Sequence, residues 1–310
     1  MSSNKRDQED VGLQSEPAYR SDVRSVPASS QAIGAYSKGF EEDDNLRSDF
    51  VRLLTLQQLA RDQQAPPTEP AVRAALIPKT LLQYWDDPMA VPSDVLGCLD
   101  SWNALREEGI TIRMFGDASA RVYIAERYGP REVAAFERCR HPAMRSDFFR
   151  MSYLLAEGGL YVDADDVLVG DGWREIFRDN RMKVQPFCYD INVGGMVSAT
   201  EIRRADLPTE DRIFYVNNNP IAAPAGHPVL QRALGRAADR LLGDNPTPEI
   251  QSTTGPGNLT ASLAAHALEL QEKSTQPDFE LLLDWDKTAD TRWDLAYRSG
   301  SRNWRNMDGR

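Results

Sequence analysis

An α/β domain, with a mostly parallel central sheet and helices on its faces, is the fold class this sequence predicts. Three observations predict it. Short β-rich apolar runs alternate with helical periods from residue 76 onward, and Gly or Pro bounds nearly every element. With 310 residues and 41% apolar content, the chain can also bury one sizeable core, or one core and a small lobe.

In chain order, residues 1–45 are polar, rich in Ser, Asp, Glu and Arg, and carry no apolar period, which predicts a disordered N-terminal segment. Residues 46–75 read as a helical arm and linker. Phe50, Leu53, Leu54, Leu56 and Leu59 form an apolar stripe over 46–62 that Pro66-Pro67 ends. The folded domain is expected over 76–310. Its first core strand is Thr80-Leu-Leu-Gln-Tyr-Trp85, closed by Asp86-Asp87-Pro88. A helix near 93–108, a strand at 110–115 and helices at 119–128 and 130–140 follow. Further strands are expected near 183–189, 193–198, 212–216 and 280–284, with long helices at 228–242 and 258–271. No internal repeat is present.

The formal charge of -11, from 36 basic and 47 acidic side chains, disfavours a surface built to neutralise nucleic-acid phosphates or anionic lipid. The opening MSSNKRDQED lacks the apolar stretch of a signal peptide, and no run of about 18 apolar residues exists to span a membrane. The expectation is a soluble, cytoplasmic protein, with an exported effector as the alternative. Cys98, Cys139 and Cys188 are odd in number and far apart, which fits a reducing compartment better than a disulfide framework or zinc cluster. His141, His227 and His266 are scattered, so each is expected to be structural.

The chemistry concentrates between Ala143 and Asp166. Met144, Phe148, Met151 and Leu155 recur at helical spacing, Pro142 suits a first turn, and Gly158-Gly159 can end the helix. On the other side, Ser146, Asp147 and Arg150 stand three and four residues apart and can form one polar cluster. Leu160-Tyr161-Val162 reads as a short buried strand. If the chain stays extended, Tyr161, Asp163 and Asp165 share one side and two carboxylates converge at the strand's C-terminal end. Ligands of open α/β sheets bind there, and hard oxygens suit Mg²⁺ or Mn²⁺. A D-x-D triplet alone is equally the composition of a solvated turn.

The wider pattern is more specific. Ser146, Asp147 and Arg150, then Gly158, Gly159, Tyr161, Asp163 and Asp165, follow S-D-x-x-R and G-G-x-Y-x-D-x-D at the right separation. This resembles the glycosyltransferases with a DXD-containing sugar-binding region, among them yeast initiating mannosyltransferases, bacterial capsular enzymes and large clostridial glucosylating toxins. Ile77-Pro78-Lys79 to Gln83-Tyr84-Trp85 is similar to the family's first strand. Asn218-Asn219 to Gly226-His227-Pro228 and Thr254-Gly255-Pro256-Gly257 are weaker points of likeness. The resemblance covers roughly residues 76–260 and implies a GT-A-like, Rossmann-like fold.

It further implies a UDP- or GDP-sugar donor, Mn²⁺ or Mg²⁺, an unspecified acceptor and retention of anomeric configuration. Asp165 would ligate the metal, and Asp163 would contact the ion and the donor sugar or ribose. Asp147 and Arg150 would grip sugar hydroxyls, and Ser146 and Tyr161 would line the pocket. An i,i+3 surface ion pair is the plainer reading of Asp147 and Arg150. Under the donor reading, Arg150→Lys should lower turnover and leave the melting temperature nearly unchanged. Trp85 is open between base stacking and core packing. The family's C-terminal His or Asn with Ser-x-Trp is represented by Ser301, Asn303 and Trp304, without a His. Asn303 is a candidate carbonyl ligand to the metal and Trp304 a candidate diphosphate contact. Two rivals remain at this point: a haloacid-dehalogenase-type phosphohydrolase with Asp163 as nucleophile, and a non-catalytic nucleotide-sugar-binding scaffold.

Overall fold

The computed structural model describes residues 36–64, 76–245, 247–300 and 302–303. The expectations for residues 1–35 and for Trp304 lie outside the described residues. Residues 36–45 depart from the disordered segment expected of them. Tyr36, Phe40 and Phe50 pack edge to edge with ring centroids 4.8–4.9 Å apart. Helix α1 (Asp44–Gln64) begins inside that stretch. Two aromatics without a period carry little sequence signal, yet each buries a large apolar area once a third ring is supplied by the helix.

Helix α1 docks by supplying polar groups that the sheet lacks. Ser48 accepts the N–H of Phe214 at 2.8 Å, and Arg52 donates to the carbonyl of Ile202 at 2.6 Å. Gln58 donates to the carbonyl of Leu281 at 2.8 Å and accepts its N–H at 2.7 Å, acting as a strand neighbour.

Beyond the arm come β1 (Thr80–Tyr84), α2 (Ser93–Ser101), β2 (Thr111–Phe115), α3 (Asp117–Arg127), α4 (Pro130–Glu137), α5 (Pro142–Glu157), β3 (Gly159–Tyr161) and β4 (Asp166–Leu168). Next are α6 (Trp173–Ile176), β5 (Met182–Asp190), β6 (Gly195–Met196), α7 (Ala199–Ile202) and β7 (Arg212–Ala223). The described chain closes with α8 (Pro228–Leu242), α9 (Ile250–Thr253), α10 (Pro256–Glu272), β8 (Phe279–Leu281) and β9 (Ala289–Thr291).

The main sheet runs β2-β1-β3-β7-β5-β6, with β8 also beside β5. β1 is parallel to β2 (Thr80↔Thr111) and to β3 (Leu81↔Leu160). β7 is antiparallel to β3 and β5, β6 is antiparallel to β5, and β8 is parallel to β5. Only β6 and β7 therefore run against the common direction. This is an α/β sheet, mostly parallel and flanked by helices. β7 extends well past residue 216 because its second half pairs with β3, a partner that the Asn217-Asn218-Asn219-Pro220 run does not announce.

Apolar side chains fill both faces. Phe148, Met151, Leu230, Leu234 and Leu263 belong to one cluster, and Trp102, Trp173, Ile176 and Trp285 belong to the other. The Gly158-Gly159 pair serves as backbone. Gly159 has φ +121°, and a Cβ there would lie 2.8 Å from the carbonyl oxygen of Thr80. Gly159→Ala is expected to cost about 2–4 kcal/mol, since it adds both strain and a clash at the start of β3. Urea unfolding measures this, and an unchanged midpoint would mean that the β1–β3 pair relaxes freely.

Candidate functional site

Helix α5 aims the first half of the site. His141 caps it by accepting the N–H of Ala143 at 3.1 Å, and Pro142 occupies the first turn. Its polar side is not a surface: Ser146, Asp147 and Arg150 are 8%, 6% and 4% exposed. A solvated i,i+3 ion pair is therefore excluded. The reason is tertiary, because β7 and the α9–α10 junction cover this side of the helix. Asn218 donates to Asp147 Oδ1 at 2.8 Å and Thr254 to its Oδ2 at 3.1 Å.

Arg150 is the hub. Its guanidinium donates to the Asn218 carbonyl at 2.6 Å, to Ser146 Oγ at 3.1 Å and to Asp163 Oδ1 at 3.0 Å. It also lies 3.2 Å from Asp147 Oδ1 and 4.0 Å above the Tyr161 ring. Tyr161 donates to Asp163 Oδ1 at 2.8 Å, and its hydroxyl is also 2.8 Å from Ser146 Oγ. Every side chain of the S-D-x-x-R and Y-x-D pattern thus meets in one network.

Strand β3 ends at Tyr161, and the chain then turns rather than staying extended. The N–H of Asp166 donates to the carbonyl of Asp163 at 3.2 Å, which closes a turn around Ala164-Asp165. Asn219 fastens this turn by accepting the N–H of Asp163 at 3.0 Å and donating to Asp166 Oδ2 at 2.8 Å. Thr291 on β9 donates to Asp166 Oδ1 at 2.7 Å, and Trp102 Nε1 donates to the Asp166 carbonyl at 2.8 Å. Asp165 is turned toward the C-terminal segment, where Tyr297 donates to its Oδ2 at 2.5 Å and Arg298 forms an ion pair with the same oxygen.

Crowding of carboxylates shows in their titration. Burial pushes Asp166 up to about 7, with Asp165 and Asp163 adding to the rise against hydrogen bonds from Thr291 and Asn219. Burial, then Asp163, raises Asp165 against the pull of Arg298. Asp147 is pushed up to about 6, chiefly by burial and further by Asp163, against Arg150 and hydrogen bonds from Thr254 and Asn218.

A folded value above the unfolded one of about 3.9 means that the folded state holds the Asp147 proton longer. The stability contributed by that proton is fully present below about pH 4 and is lost as pH rises through the folded value. Asp147→Asn should remove this slope, so its stability relative to wild type should rise between about pH 4.5 and pH 7. Denaturant titrations of ion-free protein at both values measure it, and parallel pH profiles would contradict it.

The network opens into a cleft of about 2260 Å³, well above the roughly 300–1,000 Å³ of a single small-molecule pocket. It has room for two substrates. Trp85 borders the cleft at the end of β1 while also packing against Val95, Cys98 and Ala164. Its ring meets Tyr297 edge-on at 5.3 Å, and its Nε1 is buried without a hydrogen-bond partner. Asn303 also borders the cleft and donates to the Arg298 carbonyl at 2.7 Å.

Sequence reasoning missed Asp166, Thr291, Tyr297 and Arg298 as parts of the site. Asn218, Asn219 and Thr254, weak points of likeness in sequence, prove to be direct partners of Asp147, Asp163 and Asp166. His141 and His227 are helix caps, as structural histidines would be, but two of the three are not scattered in space. His227 and His266, 39 positions apart, come together with Asp278, their ligand atoms all within 4.8 Å of one another. His266 Nε2 lies 2.8 Å from Asp278 Oδ1, while His227 Nδ1 accepts the N–H of Val229 at 3.3 Å and caps α8.

Residues 92–182 match the family model described as the glycosyltransferase sugar-binding region containing a DXD motif. This is narrower than the span over which the resemblance was expected, but it contains α5, β3 and the Asp163–Asp165 turn. No curated protein matches the chain. Among solved structures, the PaToxG glycosyltransferase is similar at 15% identity and a TM-score of 0.41, covering 85% of this chain and 98% of that one. No helix among the described residues is long and apolar enough to cross a membrane. Over residues 92–182 the chain thus carries a match to the DXD-containing sugar-binding region of glycosyltransferases, the mark of a transferase enzyme.

Proposed function

We propose that the protein transfers a sugar from a UDP- or GDP-sugar to an acceptor, with retention of anomeric configuration and with Mn²⁺ or Mg²⁺ at Asp163 and Asp165. The observation that carries this reading is the meeting of Arg150, Tyr161 and Asp163 at the C-terminal end of β3, with Asp165 two residues on, all on the wall of one large cleft.

The donor set fits a hard divalent ion. Asp163 and Asp165 offer carboxylate oxygens, and burial, then the neighbouring Asp163, raises the Asp165 carboxyl in the ion-free state. When bound, such an ion neutralises charge gathering on the departing nucleoside diphosphate. The chain's own residues do the rest. Asp165 and Asp163 hold the ion, and Asp163 also faces the sugar or ribose. Asp147 and Arg150 shape the sugar subsite together with Ser146 and Tyr161. Because the two terminal nitrogens of Arg150 already donate to Asn218, Ser146 and Asp163, its main contribution is to hold Asp163 and Asp147 in place. Trp85 offers an aromatic edge for the base, Asn303 a side-chain carbonyl for the ion and Trp304 a contact for the diphosphate. The three buried free cysteines support a cytoplasmic location.

The phosphohydrolase reading is set aside, since the matched region is that of a glycosyltransferase and Asp163 is tied to Arg150 and Tyr161. A panel of UDP- and GDP-sugars with and without Mn²⁺ tests the proposal. One donor should be hydrolysed slowly and only with the ion; hydrolysis of none, with no donor binding, would favour a scaffold.

A further inference from the structure

The C-terminal segment reaches Asp165 by a fixed route. β9 pairs with β4, the N–H of Arg292 donates to the Asp165 carbonyl at 2.9 Å, and Leu295 is buried. This delivers Arg298 to the Asp165 carboxylate. Arg298 Nε donates to the Arg292 carbonyl at 2.9 Å, and its guanidinium stacks 4.3 Å from the Trp293 ring, so the side chain is anchored while its fork stays in the cleft.

The other arginines on the cleft wall have different commitments. Arg150 is held between Asp147 and Asp163, Arg302 pairs with Asp86, Arg212 with Asp190 and Arg47 with Asp44. No lysine lines the cleft among the described residues. Two cleft arginines thus pair with proposed metal ligands, Arg150 with Asp163 and Arg298 with Asp165, and of the two Arg298 is the less buried.

We infer that Arg298 is a diphosphate-binding residue that changes partner: it neutralises Asp165 in the ion-free protein and turns to the donor's diphosphate once a divalent cation occupies Asp165. This rests on the reading of Asp163 and Asp165 as a metal site. The charges favour the exchange. A cation at Asp165 replaces the guanidinium there, and an arriving diphosphate offers paired anionic oxygens to a planar fork of donors. The released guanidinium has Trp293 and Tyr297 beside it to hold its orientation.

The exchange predicts effects of opposite sign. In the full chain, Arg298→Gln should bind Mn²⁺ alone about five- to tenfold more tightly, because a competing cation has gone. With Mn²⁺ saturating, the same variant should bind UDP or GDP about ten- to a hundredfold more weakly. Arg298→Lys keeps a charge for folding and loses the fork, so its nucleoside diphosphate affinity should fall about fivefold with Mn²⁺ affinity near that of wild type. Calorimetry on the three proteins reads both affinities. A merely structural Arg298 would weaken both in the Gln variant, and wild-type diphosphate affinity in the Lys variant would equally overturn the proposal. Failure of the wild type itself to bind Mn²⁺ would instead remove the metal reading, and this inference with it.

Discussion

Asp165→Asn is expected to abolish turnover while leaving the protein folded. The substitution replaces a carboxylate with a neutral amide at the ion's proposed anchor, and hard divalent cations bind neutral amide oxygens far less well. A loss of about 4 kcal/mol in transition-state stabilisation corresponds to roughly three orders of magnitude in kcat/KM. Stability should respond differently. Burial and Asp163 already disfavour the charged form of Asp165 in the ion-free site, and the amide oxygen can still accept from Tyr297 and Arg298. Unfolding of the ion-free variant should therefore stay within about 1 kcal/mol of wild type. Donor hydrolysis against Mn²⁺ concentration, paired with thermal melts, measures both. Near-wild-type hydrolysis with unchanged Mn²⁺ dependence would remove Asp165 from the site.

Arg150→Met should damage both activity and stability, and here the structure changes the expectation drawn from sequence. A guanidinium facing a bound donor could be replaced with little effect on melting. In the folded protein Arg150 is 4% exposed and lies between Asp147 and Asp163. Removing it leaves the buried Asp147 carboxylate facing the partly exposed Asp163 without a counter-charge, at a cost of about 3–5 kcal/mol. Arg150→Lys keeps the charge but cannot reach the Asn218 carbonyl, Ser146 and Asp163 together; about 1–3 kcal/mol of stability and a thirty- to hundredfold fall in kcat/KM are expected. The fall should be mostly in kcat, because a displaced Asp163 misplaces the donor rather than removing its binding surface. Chemical denaturation and steady-state kinetics of both variants decide this. A Lys variant that melts like wild type would mean that Arg150 is less firmly held than its hydrogen bonds imply.

The sequence by itself determined the parts of the molecule governed by short-range rules. Helical spacing from Met144 to Leu155, the Gly158-Gly159 break and the apolar triplet before Asp163 specify helix, turn and strand within about twenty residues, where local propensity and burial agree. The S-D-x-x-R and D-x-D residues could be read for the same reason, since three- and four-residue spacings on a helix and two-residue spacings near a strand bring side chains together locally.

Only the tertiary structure decided what faces them. Asn218, Asn219, Thr254, Thr291, Tyr297 and Arg298 join the site from β7, the α9–α10 junction and the C-terminal segment, through contacts spanning 53 to 133 positions. No periodicity encodes such pairings, because they depend on which strands become neighbours. The same holds for Asp147 and Arg150. Their spacing suits a surface ion pair as well as a buried one, and the choice was made by β7 and the α9–α10 junction lying over that side of α5. Likewise, the polar composition around Tyr36 and Phe40 conceals two rings whose burial depends on Phe50, a residue ten positions beyond Phe40 and on another element.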